Sequence, residues 1–340
     1  MTEPLNWGII ATGTIARTFA RGVAHSKSGR VVAVGSRTRE AAGKFAAELG
    51  GLRAHGSYEA LLADPEVRAV YIATPHPQHL EWVERAAAAG KHVLCEKPLA
   101  MTRAEAARAV EACRARGVLL MEAFMYRCHP QTAKIGELVR SGALGRVRLV
   151  QATFSFAAGF DPAHRLFNKA LGGGGILDVG CYPVSLARLV AGAADGQAFA
   201  DPVRVTGAVE LHPESGADVY AAATLQFANG IIAQVASGVM LLQDNSARIY
   251  GTDGWLQVTD PWVPAREGGS VTMHLRRRGE TTAEEIVVTT DEWLYGLEAD
   301  AFAAALAAGK RDVPQMSTAD TLGNMAVLDA WAACACDAKA

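Results

Sequence analysis

Two segments of the chain hold side chains able to move a proton. Glu96-Lys97-Pro98 follows the apolar run Lys91–Cys95 and sets an ammonium at its end. Asp178 and Tyr182 stand four residues apart, behind the glycine run Gly172-Gly173-Gly174-Gly175. That spacing puts both side chains on one helix face. A free tyrosine has a pKa of about 10, too high for an efficient base at neutral pH. A neighbouring ammonium favours the phenolate and lowers that pKa. Oxidising a carbinol requires removal of a proton as hydride leaves. Tyr182 is therefore the expected proton acceptor in oxidation and donor in reduction, with Lys97 as the activating cation. Asp178 is expected to hold a substrate hydroxyl or to orient Lys97. Each residue also has an ordinary reading: a half-buried aromatic, a solvated lysine at a strand end, and an acid favoured by a helix dipole.

A hydride needs a carrier, and the start of the chain offers a seat for one. Gly8-Ile9-Ile10-Ala11-Thr12-Gly13-Thr14-Ile15-Ala16 ends one apolar run and opens a helical pattern. A G-x-G-x-x-A fingerprint aligned here has Ala11 in the first position, Gly13 in the second and Ala16 in the third. The second matters most, because a side chain there blocks a pyrophosphate. Ala11, Thr12, Gly13, Thr14 and Ile15 then form the phosphate turn, unless this is an ordinary glycine turn. The next apolar run ends in Ser36-Arg37-Thr38. No acid stands there to take the ribose 2′-hydroxyl of NAD, and Arg37 can pair with a 2′-phosphate. NADP is therefore favoured over NAD, the alternative being that Arg37 is a solvated surface charge. Thr74-Pro75-His76-Pro77-Gln78-His79, Glu96-Lys97 and Met121–Arg127, with Ala123 and Arg127, fall at the ends of further strand-like runs, where ligands bind in open α/β sheets.

The elements that must position these residues alternate at first. Apolar runs at Leu5–Ala11, Arg30–Gly35, Val67–Thr74, Lys91–Cys95 and Val118–Glu122 are separated by helical patterns. Thr102 and Glu105 have capping-box spacing. This is the pattern of βαβ units and a doubly wound parallel sheet. After about residue 145 the runs Val147–Phe156, Val203–Leu211, Val219–Phe227, Ile231–Met240, Leu256–Thr259 and Ile286–Thr289 follow with few helices between them. Ala228-Asn229-Gly230 reads as a hairpin turn. One helix follows the glycine run, and two more close the chain near Trp293–Ala308 and Ser317–Ala333. The expected architecture is α/β plus α+β: a nucleotide-binding domain over 1–125, then a substrate-binding and oligomerisation domain over 126–340 with an open, predominantly antiparallel sheet.

Composition narrows the function classes. Of 340 residues, half are apolar and a fifth charged, with a formal net charge of −2. That excludes a disordered chain and argues against nucleic-acid binding through a basic surface. No uninterrupted apolar run is of bilayer length, and MTEPLNWGII lacks the marks of a signal peptide. The expected compartment is the cytoplasm, with no membrane partner. Cys95, Cys113, Cys128, Cys181, Cys334 and Cys336 fit neither a disulfide framework nor a zinc site, so reduced thiols and no metal are expected.

Glu96-Lys97-Pro98, taken with the G-G-G-x-x-x-D-x-G-x-Y run ending at Tyr182, resembles the Gfo/Idh/MocA oxidoreductases, the glucose–fructose oxidoreductase and inositol dehydrogenase family. The likeness covers nearly the whole chain. It is greatest to the branch holding the dimeric dihydrodiol dehydrogenases and NADP-dependent D-xylose dehydrogenases. The resemblance implies a Rossmann domain, hydride transfer between a nicotinamide and a hydroxyl-bearing carbon, and a homodimer or homotetramer formed through the C-terminal sheet. Inositol-dehydrogenase-like members carry histidine where this chain has Tyr182, which speaks against that activity. His76 stands where many relatives have asparagine, on the wall of the cofactor cleft. His79 matches a recurrent histidine that meets cofactor or substrate, and Glu96 supports the cofactor pocket. Phe160 and Arg165 are candidate substrate contacts, and Arg127 is either a contact in the substrate cleft or a structural residue. Tyr295 is a candidate cofactor contact or, more simply, a core aromatic. An NADP-dependent sugar or diol dehydrogenase, aldose 1-dehydrogenase in type, is the leading expectation. The alternatives are a sugar–sugar oxidoreductase that retains NADP, and an NADP-sensing binding protein.

Overall fold

The computed structural model describes residues 3–337; Met1, Thr2, residues 338–340 and the side chains of Cys336 and Asp337 lie outside the described residues. The chain runs β1 (Leu5–Ile10), α1 (Thr14–Val23), β2 (Gly29–Gly35), α2 (Arg39–Glu48), β3 (Arg53–His55), α3 (Tyr58–Leu62), β4 (Ala69–Ile72), α4 (His79–Ala88), β5 (His92–Glu96), α5 (Arg103–Ala115) and β6 (Leu120–Ala123). It continues with α6 (Pro130–Arg140), β7 (Val147–Ser155), α7 (Cys181–Ala194), β8 (Pro202–Leu211), β9 (Asp218–Phe227), β10 (Ile232–Gly238), β11 (Ala247–Gly251), β12 (Gly254–Val258), β13 (Gly269–Arg277), β14 (Glu284–Thr290), α8 (Leu294–Ala307) and α9 (Thr318–Asp337).

These elements form two compact units. The first runs to His129 and takes in Ala265–Gly269 and Thr290–Thr321; the second comprises Pro130–Pro264, Ser270–Thr289 and the segment from Leu322. The sequence division placed everything after residue 125 in the second domain. The structure instead groups α8 with the first unit, and the contacts show why. Asp300 on α8 accepts from Ser26 Oγ at 2.6 Å and from the Ser28 amide at 2.9 Å. Phe302 packs its ring 5.1 Å from that of Trp7. Tyr295 lies buried against Gly22, where a β-carbon would collide with it, which makes Tyr295 a core aromatic of the first unit.

In the first unit six parallel strands take the order β3-β2-β1-β4-β5-β6, the doubly wound Rossmann order with its switch point between β1 and β4. Strands covered on both faces read as continuous apolar runs, and all four residues of β4 are buried. On α1, Ala16, Phe19, Ala20 and Val23 are buried. That is one apolar stripe at helical spacing, and it stacks Phe19 on Tyr71 with ring centroids 3.8 Å apart. Thr102 caps α5 through the Glu105 amide at 3.2 Å, while the Glu105 side chain accepts from the Met101 amide at 3.0 Å.

In the second unit eight strands take the order β14-β13-β12-β11-β7-β10-β9-β8. β7 and β10 pair in parallel, while β8 with β9, β9 with β10, β7 with β11, β11 with β12 and β12 with β13 pair antiparallel. β9 alternates strictly: Val219, Ala221, Ala223, Leu225 and Phe227 face the core while Tyr220, Ala222 and Gln226 face outward. That is the period-two pattern of a sheet with one covered face. The covered face receives α7, nearly all of which is buried. Among the described residues, Lys169–Ala194 is the one helical stretch long and apolar enough to cross a membrane by length and composition, and it is buried inside the protein.

Candidate active site

The phosphate turn lies where β1 hands over to α1. Gly13 is the N-cap of α1 in extended conformation (φ −74°, ψ −178°), no side chain caps the helix, and no acid sits in its first turn. A β-carbon on Gly13 would meet nothing within 4 Å. Unsatisfied amides and the positive end of the helix dipole therefore face open space of the kind a pyrophosphate fills. Ala11 adopts φ +90°, a left-handed conformation that glycine takes without strain. The missing first glycine thus leaves the turn intact. Arg17 Nη1 donates to the Thr12 carbonyl at 2.6 Å and steadies it.

At the end of β2, Ser36 is buried and Arg37 exposed. Thr38 Oγ1 accepts from the Ala41 amide at 3.2 Å as the N-cap of α2. No carboxylate occupies these three positions. At the end of β4, Thr74 is buried and its hydroxyl oxygen has no hydrogen-bond partner among the described residues. An orphaned buried hydroxyl beside the switch point suits a bound ligand group. Pro75 opens a 3-10 turn, His76–Gln78.

His79, expected to meet cofactor or substrate, is turned into the fold. It is fully buried, with Nδ1 2.9 Å from the Pro98 carbonyl and Nε2 2.8 Å from that of Thr74. Burial holds its pKa below the usual imidazole value. Its role is to tie the chain after β5 to the chain after β4.

Lys97 follows β5, half-buried, and its peptide bond to Pro98 is cis. Glu96 is turned inward: it accepts from the Tyr71 hydroxyl and from the Lys97 amide, the latter at 3.2 Å. Burial, reinforced by the Glu96 charge, keeps Tyr71 well above the ordinary phenol range. Glu122 on β6 is buried and accepts from the Leu99 amide at 2.9 Å. Two internal carboxylates thus grip the chain on either side of Lys97. The sequence reading attached no role to Glu122; its signal was a charge closing the apolar run Val118–Met121.

Arg127 fits the structural one of its two expected roles. Its guanidinium forms a buried ion pair with Asp320 at 2.7 Å. Burial opposes its charge, but Asp320 and Tyr126 together more than offset this, so its pKa rises. It braces the first unit, to which both partners belong. Ala123, at the end of β6, is buried.

In the second unit a π-turn, Ile176–Gly180, leads directly into α7. The turn presents Asp178, buried, and the start of α7 presents Tyr182, whose ring lies 5.2 Å from that of Phe154 and 6.0 Å from that of Trp262. Arg165 Nη1 lies 3.1 Å from Asp178 Oδ1. The structure therefore brings Arg165, Asp178 and Tyr182 to one helix start. Phe160 points elsewhere, into an apolar cluster with Leu166, Phe167, Val219 and Val239, and stacks on His212 at 3.8 Å. The sequence reading missed Asp218, which contacts the same turn. Among the described residues no group of three His, Cys, Asp or Glu could hold a metal ion.

A doubly wound sheet with an open helix N-terminus after β1 is the framework on which dinucleotides bind. The chain belongs to the Gfo/Idh/MocA oxidoreductase family: residues 5–124 match its NAD-binding Rossmann-fold model and residues 132–257 its C-terminal domain. It is 35% identical over 324 residues to D-xylose 1-dehydrogenase (NADP(+)) 2 of Haloferax volcanii, covering 95% of each chain. It is 36% identical over 262 residues to the trans-1,2-dihydrobenzene-1,2-diol dehydrogenase of Mus musculus, covering 76% of each. Among solved structures it resembles KijD10, a 3-ketoreductase from Actinomadura kijaniata in complex with NADP and TDP-benzene. That likeness has a TM-score of 0.87 at 30% identity and covers 98% of both chains. The branch read from Glu96-Lys97-Pro98 and Tyr182 is the one these relatives occupy.

Proposed function

We propose that the protein transfers hydride between NADP and a hydroxyl-bearing carbon of a sugar or related vicinal diol, with aldose oxidation at C1 as the leading reaction. The observation that carries this reading is the shared edge of the Rossmann sheet: the open amide end of α1 and the braced Lys97 both lie at carboxyl ends of its strands. The residues fit the cofactor. Ala11–Ile15 would hold its pyrophosphate, Ser36, Arg37 and Thr38 the 2′-phosphate, and Thr74, Pro75 and His76 the nicotinamide half. When bound, NADP supplies the hydride acceptor. Tyr182 takes the substrate hydroxyl proton, and the Lys97 ammonium favours the phenolate that receives it. Asp178, paired with Arg165, holds a neighbouring hydroxyl. The relatives' names support both the cofactor and the substrate class.

Two wider expectations belong to the same reading. The outward face of the eight-stranded sheet, with Val203, Tyr220 and Ile232 exposed, is the surface for a second copy of the chain, which light scattering on the purified protein would register as a dimer or tetramer. A cytoplasmic setting, expected from the sequence, is the second.

The deciding experiment is a panel of aldoses, polyols and vicinal diols assayed with NADP and NAD side by side, for wild type and Tyr182→Phe. Turnover with NADP that falls at least 100-fold in the variant supports the proposal. Undiminished turnover removes Tyr182 from the mechanism. Stoichiometric NADP(H) that survives dialysis would favour sugar–sugar exchange, and inertness across the panel would favour a sensor.

A further inference from the structure

The π-turn that sets out Asp178 and Tyr182 has no side-chain cap of its own. Its first amides, like those of any helix start, need acceptors. They find one far along the chain. Asp218, the first residue of β9, accepts from the Ile176 amide at 2.7 Å, and the Gly175 amide also donates to it. Gly174, at φ +123°, passes so close that a β-carbon there would collide with Asp218 Oδ1. A β-carbon on Gly175 would in turn stand 3.0 Å from Gly238 Cα, at the end of β10. Gly174 is bare so that the half-buried Asp218 carboxylate can sit against its backbone, and Gly175 so that the turn can pass close to β10.

We propose that Asp218 is a positioning residue for Asp178 and Tyr182: as a carboxylate it caps the π-turn across the fold and fixes the direction in which Asp178 leaves it and in which α7, carrying Tyr182, continues from it. This rests on the reading of Asp178 and Tyr182 as site residues. The cap is a charge-assisted one, which is stronger than a neutral hydrogen bond.

The cap is also adjustable. Burial pushes the Asp218 carboxyl up to about 7, against the pull of its backbone donors, and the nearby Asp178 charge adds to the rise. Asp178 faces it from the turn and is itself tied to Arg165. From β8 the register partner is Leu211, and beyond it His212 is turned onto Phe160. From β10 the neighbour is Gly238. Above neutrality Asp218 is the carboxylate that the amides need. Below it, the acid grips them less and the turn loosens.

The test uses the full chain with NADPH present, comparing wild type with Asp218→Asn, which mimics the protonated acid. Hydrogen–deuterium exchange of the peptide Gly174–Tyr182, normalised for intrinsic rates, should be at least tenfold faster in the variant at pH 8.5 and similar to wild type at pH 6. The NADPH dissociation constant should change less than twofold. On any substrate found by the panel, kcat/KM of wild type should rise through pH 7, and the variant should lack that rise and fall about tenfold behind at pH 8.5. Equal exchange in the two proteins at pH 8.5, or parallel pH profiles, overturns the proposal. Should the variant fail to fold, wild type alone decides: protection of this peptide must increase between pH 6 and pH 8.5, and constant protection is a refutation. A panel without turnover would count against the proposed function, while the exchange measurement would still judge the cap.

Discussion

The Glu122 carboxylate accepts a hydrogen bond from the Leu99 amide at 2.9 Å, so a buried acid on β6 fixes the chain two residues past Lys97. Removing it leaves a buried amide unpaired, at about 1–3 kcal/mol. Glu122→Ala should lower the melting temperature and also depress kcat/KM, because the Lys97 backbone loses an anchor. Glu122→Gln keeps an acceptor and should lose less on both counts. Calorimetry and initial rates on the two variants check this; equal activity in Glu122→Ala would show that Lys97 does not depend on the anchor.

Cofactor choice should rest on Arg37. It is exposed at the end of β2, and the buried Ser36 and the cap Thr38 flank it without a carboxylate. A charge-assisted contact of this kind contributes about 1.5–3 kcal/mol when shielded, and solvent at an exposed position screens it. Arg37→Ala should therefore weaken NADPH binding about tenfold and leave NADH binding nearly unchanged, as fluorescence titration would register. Equal weakening for both cofactors would place Arg37 on some other part of the nucleotide.

Arg127 and Asp320 form a pair of which neither partner reaches solvent. Breaking one side of such a pair costs about 3–5 kcal/mol, whereas replacing both with apolar groups is often neutral. Arg127→Met should destabilise the fold markedly, and Arg127→Met with Asp320→Leu should recover much of the loss while cofactor affinity stays within a few-fold. Had Arg127 been a ligand contact, the double variant would regain stability without regaining binding.

What was legible in the sequence follows from how local each signal was. The parallel strands announced themselves because burial on both faces makes them uniformly apolar, and Thr102 with Glu105 marked the start of α5 within four residues. β3, three residues with an exposed arginine, carries no such signal. β13 alternates Val271, Met273 and Leu275 inward with Ser270, Thr272 and His274 more open, but its apolar residues are never adjacent and it went unnamed. The chemistry-bearing residues at the strand ends were readable by type. Their partners were not: Asp320 lies 193 residues from Arg127, Asp300 lies 274 from Ser26, and Asp218 lies 42 from Ile176. Arg127 and His79 show the same limit, each having a polar head that the fold satisfies internally.

Ala11→Gly offers a stabilising change. A non-glycine residue in the left-handed region stores about 1–3 kcal/mol of strain, and Ala11 sits at φ +90°. The substitution should raise the melting temperature of the first unit by a few degrees. It should leave NADPH affinity within twofold, since the turn already has the required shape. A lower melting temperature would mean that the added freedom of the unfolded glycine outweighs the relief.

Glu298 should make stability depend on pH in an unusual direction. It is fully buried, and neither of its oxygens has a hydrogen-bond partner among the described residues. Burial, reinforced by the charge of Glu96, raises its pKa well above the ordinary carboxylate value. The folded chain therefore keeps this proton where the unfolded chain has released it. Stability must then fall as pH rises from the unfolded carboxylate pKa toward the folded one, by up to about 1.4 kcal/mol per pH unit. Glutamine imitates the protonated acid and does not titrate. Glu298→Gln should match wild type in thermal unfolding near pH 4 and exceed it increasingly through pH 6 to pH 8. If the variant is no more stable than wild type at pH 8, Glu298 is ionised in the folded protein and has a counter-charge that offsets its burial.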